Sequence, residues 1–157
     1  MSKSLKRVKA ALISMGGNQK TILETTLART ANDAAKAIGC EVDQIAKSII
    51  FRGATSHKLF LFITAGGNQV APNKAEKLAR EPLEKADAGV IRSQTGFAIG
   101  GVSPVGHLNP ITTFMDKRLA EFATIWAAAG TPHHVFECSP VELMKYCDAQ
   151  LHDFTTK

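Results

Sequence analysis

The chain has 157 residues, of which 45% are hydrophobic and 21% charged. That balance suits one domain around one core and excludes a disordered polypeptide. A formal charge of +5 and a pI near 9.2 favour a polyanionic partner without naming it. No apolar run approaches the roughly 20 residues that span a bilayer. The basic start, Met1 to Arg7, leads into no apolar signal core, so a cytosolic protein is expected.

Leu5, Val8, Leu12 and Met15 recur at helical spacing, and Gly16-Gly17 ends the segment. Lys3, Lys6, Arg7 and Lys9 fall on its other faces, as either a solvated surface or a phosphate-steering patch. Thr21 to Leu27 reads as a strand. Thr30 then caps a helix carrying Ala34, Ala35 and Ile38, with Gly39 as its stop. After a turn at Glu41 to Gln44, Ile45 to Phe51 is a strand. Lys58 to Thr64, nearly all apolar, is a strand covered on both faces. Ala65-Gly66-Gly67-Asn68 is a loop, Asn73 to Arg80 a short helix and Gly89 to Ile91 a short strand. Gly96 to Pro110 holds four glycines and two prolines and reads as a long loop. Ile111 to Met115 is a strand, Glu121 to Ala129 is open between strand and helix, and His133 to Glu137 is a strand. Ser139-Pro140-Val141-Glu142 is a helix start; the helix runs to about Cys147, and residues 150–157 are expected to fray. Without strict alternation of strand and helix, the fold class is α+β, one domain with a mixed, curved sheet.

Lys47 is the first candidate functional residue. In an extended strand it shares a face with Ile49 and Phe51, where an amine is costly unless paired, snorkelling or lining a pocket. The second candidate is Gly100-Gly101-Val102-Ser103-Pro104-Val105-Gly106-His107. Its glycines permit close backbone approach, and such a loop can aim N–H groups at a developing oxyanion. It has no GK[ST] and no GxGxxG, so it is neither a Walker loop nor a dinucleotide fingerprint. The third candidate is His133-His134, whose side chains leave a strand on opposite faces. For each of these, as for His107 and His57, the pattern also fits a structural role. Cys40, Cys138 and Cys147 lack CxxC spacing, and no HExxH occurs. Buried thiols are expected, with neither metal nor cofactor.

Four stretches, in this order, resemble the YbaK/EbsC family and the editing domain of bacterial prolyl-tRNA synthetases. They are Thr30 to Ala35, Gln44 to Ile49, Gly100 to His107, and His133 to Phe136 leading into Ser139 to Leu143. The resemblance spans roughly residues 20 to 150. It implies a barrel-like mixed sheet and hydrolysis of the ester between a wrong amino acid and the terminal adenosine of tRNA. It makes Lys47 the lysine that holds the tRNA end and Gly100 to Pro104 the GxxxP loop of the aminoacyl pocket. Gly100, Gly101 and Val102 then form the catalytic rim. Ser48, Ser103, Pro104, His107 and one of His133 or His134, with His133 preferred, become substrate contacts. It implies aminoacyl-tRNA as partner, and a synthetase such as prolyl-tRNA synthetase as a further one. Family members place the water with the help of the tRNA's own ribose hydroxyl. Ser48 follows the lysine where some alanine-clearing members carry Asn, so alanine, serine, threonine and cysteine all stay open. A basic nucleic-acid-binding module and a synthetase-associated accessory protein are the competing readings. Against the first stands the absence of basic–aromatic interleaving.

Overall fold

The computed structural model describes residues 2–17, 21–26, 28 and 30–157. In chain order its elements are α1 (Lys3–Ser14), β1 (Ile22–Glu24), α2 (Ala31–Ile38), β2 (Ile45–Gly53) and β3 (Leu59–Ala65). There follow α3 (Pro72–Ala79), β4 (Leu83–Lys85), α4 (Ala88–Thr95), β5 (Thr112–Asp116), β6 (Ile125–Thr131), β7 (His134–Cys138), α5 (Pro140–Cys147) and β8 (Gln150–His152). The strands form one mixed sheet in the order β1-β7-β6-β2-β3-β5-β8, with β4 also paired to β2. This is the expected α+β domain with a mixed, curved sheet; the sheet is not closed and has β1 and β8 at its ends.

Local chemistry sets most boundaries. Ser2 caps α1 by accepting from the Leu5 N–H, and Leu5, Val8 and Leu12 are buried while Met15 stays exposed. Thr30 caps α2 and Gly39 ends it in the left-handed region at φ +85°. Ser139 and Glu142 form the reciprocal capping box of α5. β3 is buried at every position, with β2 on one edge and β5 on the other. Glu121 to Ala129 resolves into the end of a short 3-10 turn, Lys117–Glu121, and then strand β6.

Two expectations fail for identifiable reasons. Gly89 to Ile91 is helical, because the Asp87 carboxylate accepts from the N–H groups of Gly89 and Val90 and starts α4. Three residues of strand composition do not outweigh that cap. The C-terminus does not fray either. β8 pairs in parallel with β5, Phe154 is fully buried beside Phe60, Phe62 and Ala75, and the Ala71 N–H donates to Phe154 O at 2.8 Å. Burial of a phenylalanine, on the order of 2–3 kcal/mol, adds to the strand pairing in opposing the entropy of fixing those residues. The expected strand Thr21 to Leu27 shortens to Ile22–Glu24, and Leu27 lies outside the described residues.

β2 is the element that makes the site. Along one edge it pairs with β3 from Ala46 to Arg52. Along the other it meets β6 only at Ile45 and Ala46, and β4 only from Phe51 to Gly53. Among the described residues no strand covers Lys47–Ile50 on that edge. The sheet is split there.

Candidate active site

A cavity of about 610 Å³ fills the split. It is lined by residues 45–50 of β2, the start of α2, Lys85 at the end of β4 and Ala86 after it, the β6–β7 hairpin, and Ile99, Gly100 and Val102. The size is that of a small-molecule site. Strand alternation sorts its walls. Ala46 and Ile50 face the main core with Val102, Ala127 and Ile91, while Ile45 faces the opposite side with Ala34 and Ala35 of α2. Ser48 shares the first side, and Lys47 the second.

Lys47 is half-buried, and its Nζ donates to the Gly66 carbonyl oxygen at 3.2 Å. Burial pushes its pKa below the ordinary lysine value, while the carboxylates of Asp116 and Asp43 push it back up. Those carboxylates also build the turn that presents Gly66. Asp43 accepts from the Gly67 N–H at 2.8 Å and from Arg118 Nε at 2.9 Å. Asp116, 2% exposed, accepts from the Ala65 N–H, Asn68 Nδ2 and the Arg118 N–H. A side chain at Gly66 would strike the Val42 carbonyl, so the turn tolerates only glycine there. Ser48 brings a buried hydroxyl with no hydrogen-bond partner to the same cavity.

The glycine-rich loop forms the opposite rim. Gly100 adopts φ +95°, and a Cβ at Gly101 would lie 2.9 Å from Thr131 Cα, so the loop rests directly on β6. The Gly101 N–H is already committed to Ala98 O at 3.0 Å, and Gly101 is not on the cavity wall. Gly100 and Val102 are on it.

Three expected substrate contacts build the loop from inside instead of lining the cavity. Ser103 is fully buried and its Oγ accepts from the Val105 N–H at 3.2 Å. Pro104 is buried, and its carbonyl accepts from Cys147 Sγ. His107 Nε2 donates to Ser103 O at 2.6 Å, its ring edge-on to Phe97. Burial keeps the His107 pKa below the usual imidazole value.

The histidine pair resolves against the expected preference. His133 is exposed in the hairpin turn, not in a strand, and lines a separate hollow beside α1. His134 begins β7 and lines the main cavity, with Nδ1 2.7 Å from Thr131 Oγ1. His57 sits exposed at φ +63° in the β2–β3 hairpin, away from the cavity.

Arg7, grouped at first with the basic face of α1, reaches the loop. Its Nε and Nη2 donate to the carbonyls of Gly106 and Gly96, and its guanidinium lies 4.9 Å from the Phe97 ring centroid. The cysteines are free thiols; burial pushes Cys138 and Cys147 up to about 12, far from nucleophilic use. Among the described residues no three His, Cys, Asp or Glu side chains gather as a metal site, and no helix is long and apolar enough to cross a membrane. Sequence reasoning missed the Ala65–Asn68 turn as the partner of Lys47, and it missed Trp126. The Gly66-Gly67 pair beside a buried strand was the available signal for the first.

Comparison with known proteins gives the family. YwhH of Bacillus subtilis, a protein of uncharacterized function, is 31% identical over 129 residues, covering 82% of this chain and 81% of YwhH. EbsC of Enterococcus faecalis, provisionally named a Cys-tRNA(Pro)/Cys-tRNA(Cys) deacylase, is 24% identical over 130 residues, 82% of this chain and 78% of EbsC. A crystal structure provisionally described as a trans-editing enzyme for prolyl tRNA synthetase superposes with a TM-score of 0.92 at 39% identity, covering 100% of this chain and 99% of the other. The profile of the aminoacyl-tRNA editing domain matches residues 25–146, which include the split strand, the glycine loop and the hairpin. The chain belongs to the aminoacyl-tRNA editing domain family.

Proposed function

We propose that this chain clears a small amino acid from mischarged tRNA in trans, with Lys47 holding the nucleotide end and the glycine loop facing the ester. The coarser part follows from family membership: the protein is a hydrolase of the aminoacyl-tRNA ester. The finer part rests on one observation. Lys47, Gly100 and Val102 line a single cavity of about 610 Å³, room for an aminoacyl group and part of its ribose.

An aminoacyl ester is already activated. Its hydrolysis needs a placed water and a stabilised oxyanion more than a protein nucleophile. Among the described residues the Val102 N–H donates to no protein acceptor, which suits it to the developing oxyanion. The charged Lys47 amine suits phosphate or ribose oxygens. The ribose hydroxyl of the tRNA helps to place the water. Ser48, on the cavity wall, is the residue assigned to the aminoacyl side chain. Such a pocket sorts small side chains by differences of only about 1–3 kcal/mol per methylene. The tRNA is tRNA-Pro or a relative, delivered with or without a synthetase such as prolyl-tRNA synthetase. A part in translation places the protein in the cytoplasm.

The test is a panel of tRNAs carrying alanine, serine, threonine or cysteine, on tRNA-Pro and on one other tRNA. Wild type is expected to hydrolyse at least one member, and Lys47→Ala to lose turnover by at least a hundredfold while melting as wild type does. A Lys47→Ala protein that deacylates normally sinks the assignment. Salt-sensitive tRNA binding with no hydrolysis of any member would favour the binding-module reading instead.

A further inference from the structure

The two sides of the cavity differ in chemistry. The side toward the main core is small and apolar apart from Ser48, and fits an aminoacyl group. The other side carries Lys47 and, near it, Trp126, the chain's only tryptophan. The parallel register sets Trp126 against Ile45. In-register neighbours on adjacent strands share a face, and so do residues two apart on one strand. The indole and the Lys47 amine therefore flank Ile45 on one face of the sheet.

Trp126 is half-buried, packed against the cluster of Ile45, Ala34 and Ala35, and on the cavity wall. Among the described residues every ring-to-ring contact is between phenylalanines or between phenylalanine and histidine, so the indole face is unstacked. Ala128, two residues further along β6, and its β7 partner Val135 continue the cavity wall beside it with small side chains. A flat, unstacked, half-exposed aromatic surface beside a lysine matches a base on a phosphate-bearing backbone.

We propose that Trp126 is the stacking platform for the terminal adenine of the tRNA. The ribose then lies in the split of the sheet, with the amino acid passing through to the Ser48 side. The inference rests on the reading that Lys47 holds the nucleotide end, and it adds the residue that holds the base.

The single tryptophan makes the test direct. Its emission is followed while wild-type protein is titrated with uncharged tRNA ending in CCA, and with the same tRNA lacking the terminal adenosine. Saturable quenching is expected with the first, and quenching at least fivefold weaker with the second. In parallel, Trp126→Leu should raise KM for the mischarged tRNA by about tenfold to a hundredfold, the range of one lost stack, with kcat changed less. Trp126→Phe should stay within about threefold of wild type. Equal quenching by the two tRNAs, or an unchanged KM in a folded Trp126→Leu protein that still deacylates, overturns the platform. Should wild type hydrolyse no mischarged tRNA, the parent reading falls, and adenosine-dependent quenching would still support the stack.

Discussion

The two glycine turns that rim the cavity are anchored by opposite halves of the peptide group. In the Ala65–Asn68 turn three of the four N–H groups are consumed: Ala65 donates to Asp116, Gly67 to Asp43, and Asn68 to the Ala65 carbonyl. What remains toward the cavity is an acceptor, the Gly66 carbonyl, and it holds a cation. In the Gly96–His107 loop the anchoring side chains take carbonyls. Gly96 and Gly106 accept from Arg7, Ser103 from His107 and Pro104 from Cys147, while Ala98 accepts from the Gly101 N–H. Among the N–H groups left there without a protein acceptor is that of Val102, a residue of the cavity wall. Carboxylates thus anchor the first turn through its donors, and Arg7, His107 and Cys147 anchor the second through its acceptors.

The largest effect is expected on the acceptor rim. Asp116→Ala leaves three buried or half-buried donors without their carboxylate, and unmet donors cost about 1–3 kcal/mol each. A loss of about 3–5 kcal/mol in urea unfolding is expected, with deacylation lost alongside it. A loss below about 1 kcal/mol would mean that the turn holds itself. Asp116→Asn sharpens the point. It removes one of the two charges that keep the Lys47 pKa up. If the variant folds, the alkaline limb of its pH–rate profile, corrected for spontaneous ester hydrolysis, should move to lower pH.

A middle-sized effect is expected on the donor rim. Arg7→Met removes two hydrogen bonds to loop carbonyls and a ring contact with Phe97. About 2–3 kcal/mol of stability should go, with a fall in kcat larger than any rise in KM if the loop faces the ester as proposed. Arg7→Lys keeps the charge but not the planar fork, and should recover less than half of the loss. Full recovery by lysine would show that charge, not the carbonyl bonds, holds the rim. Gly101→Ala is expected to cost less, about 1–2 kcal/mol, because its Cβ meets the Thr131 backbone at 2.9 Å and the loop must lift slightly. Thermal unfolding and deacylation rate read both variants.

The contrast between rims also marks what the sequence could carry. Helix ends were legible because their signals are local: Thr30 with Gly39, and Ser139 with Glu142, each act within a few residues. Lys47 was legible as an amine on an apolar face, and the glycines as an unusual loop. The placing of Lys47 and Trp126 on one face was not, because 45–46 and 126–127 come together only through a parallel pairing that no local pattern encodes. Arg7 looked like one more surface charge for the same reason: its partners at Gly96 and Gly106 lie about ninety residues away. The choice of His134 over His133 turned on whether the hairpin turn ends one residue earlier or later, which composition does not decide.

The smallest expected effect isolates the imidazole in the donor rim. His107 is mostly buried, and its Nδ1 has no partner. Burial, reinforced by the nearby Arg7 charge, lowers its pKa against the opposing bond to Ser103 O. A histidine whose folded pKa lies below the unfolded value of about 6.5 binds its proton more readily when unfolded. Its contribution is therefore complete above about pH 6.5 and is lost as pH falls through the folded value. Wild type should lose stability across that acidic window, with Arg7 repelling the incoming proton. His107→Gln keeps an N–H able to reach the Ser103 carbonyl but cannot titrate. Its stability should be lower at pH 7.5, yet flatter from there to pH 5. A His107→Gln curve parallel to wild type would show that the ring stays uncoupled from the loop, and that the carbonyls of this rim are held by Arg7 and Cys147 alone.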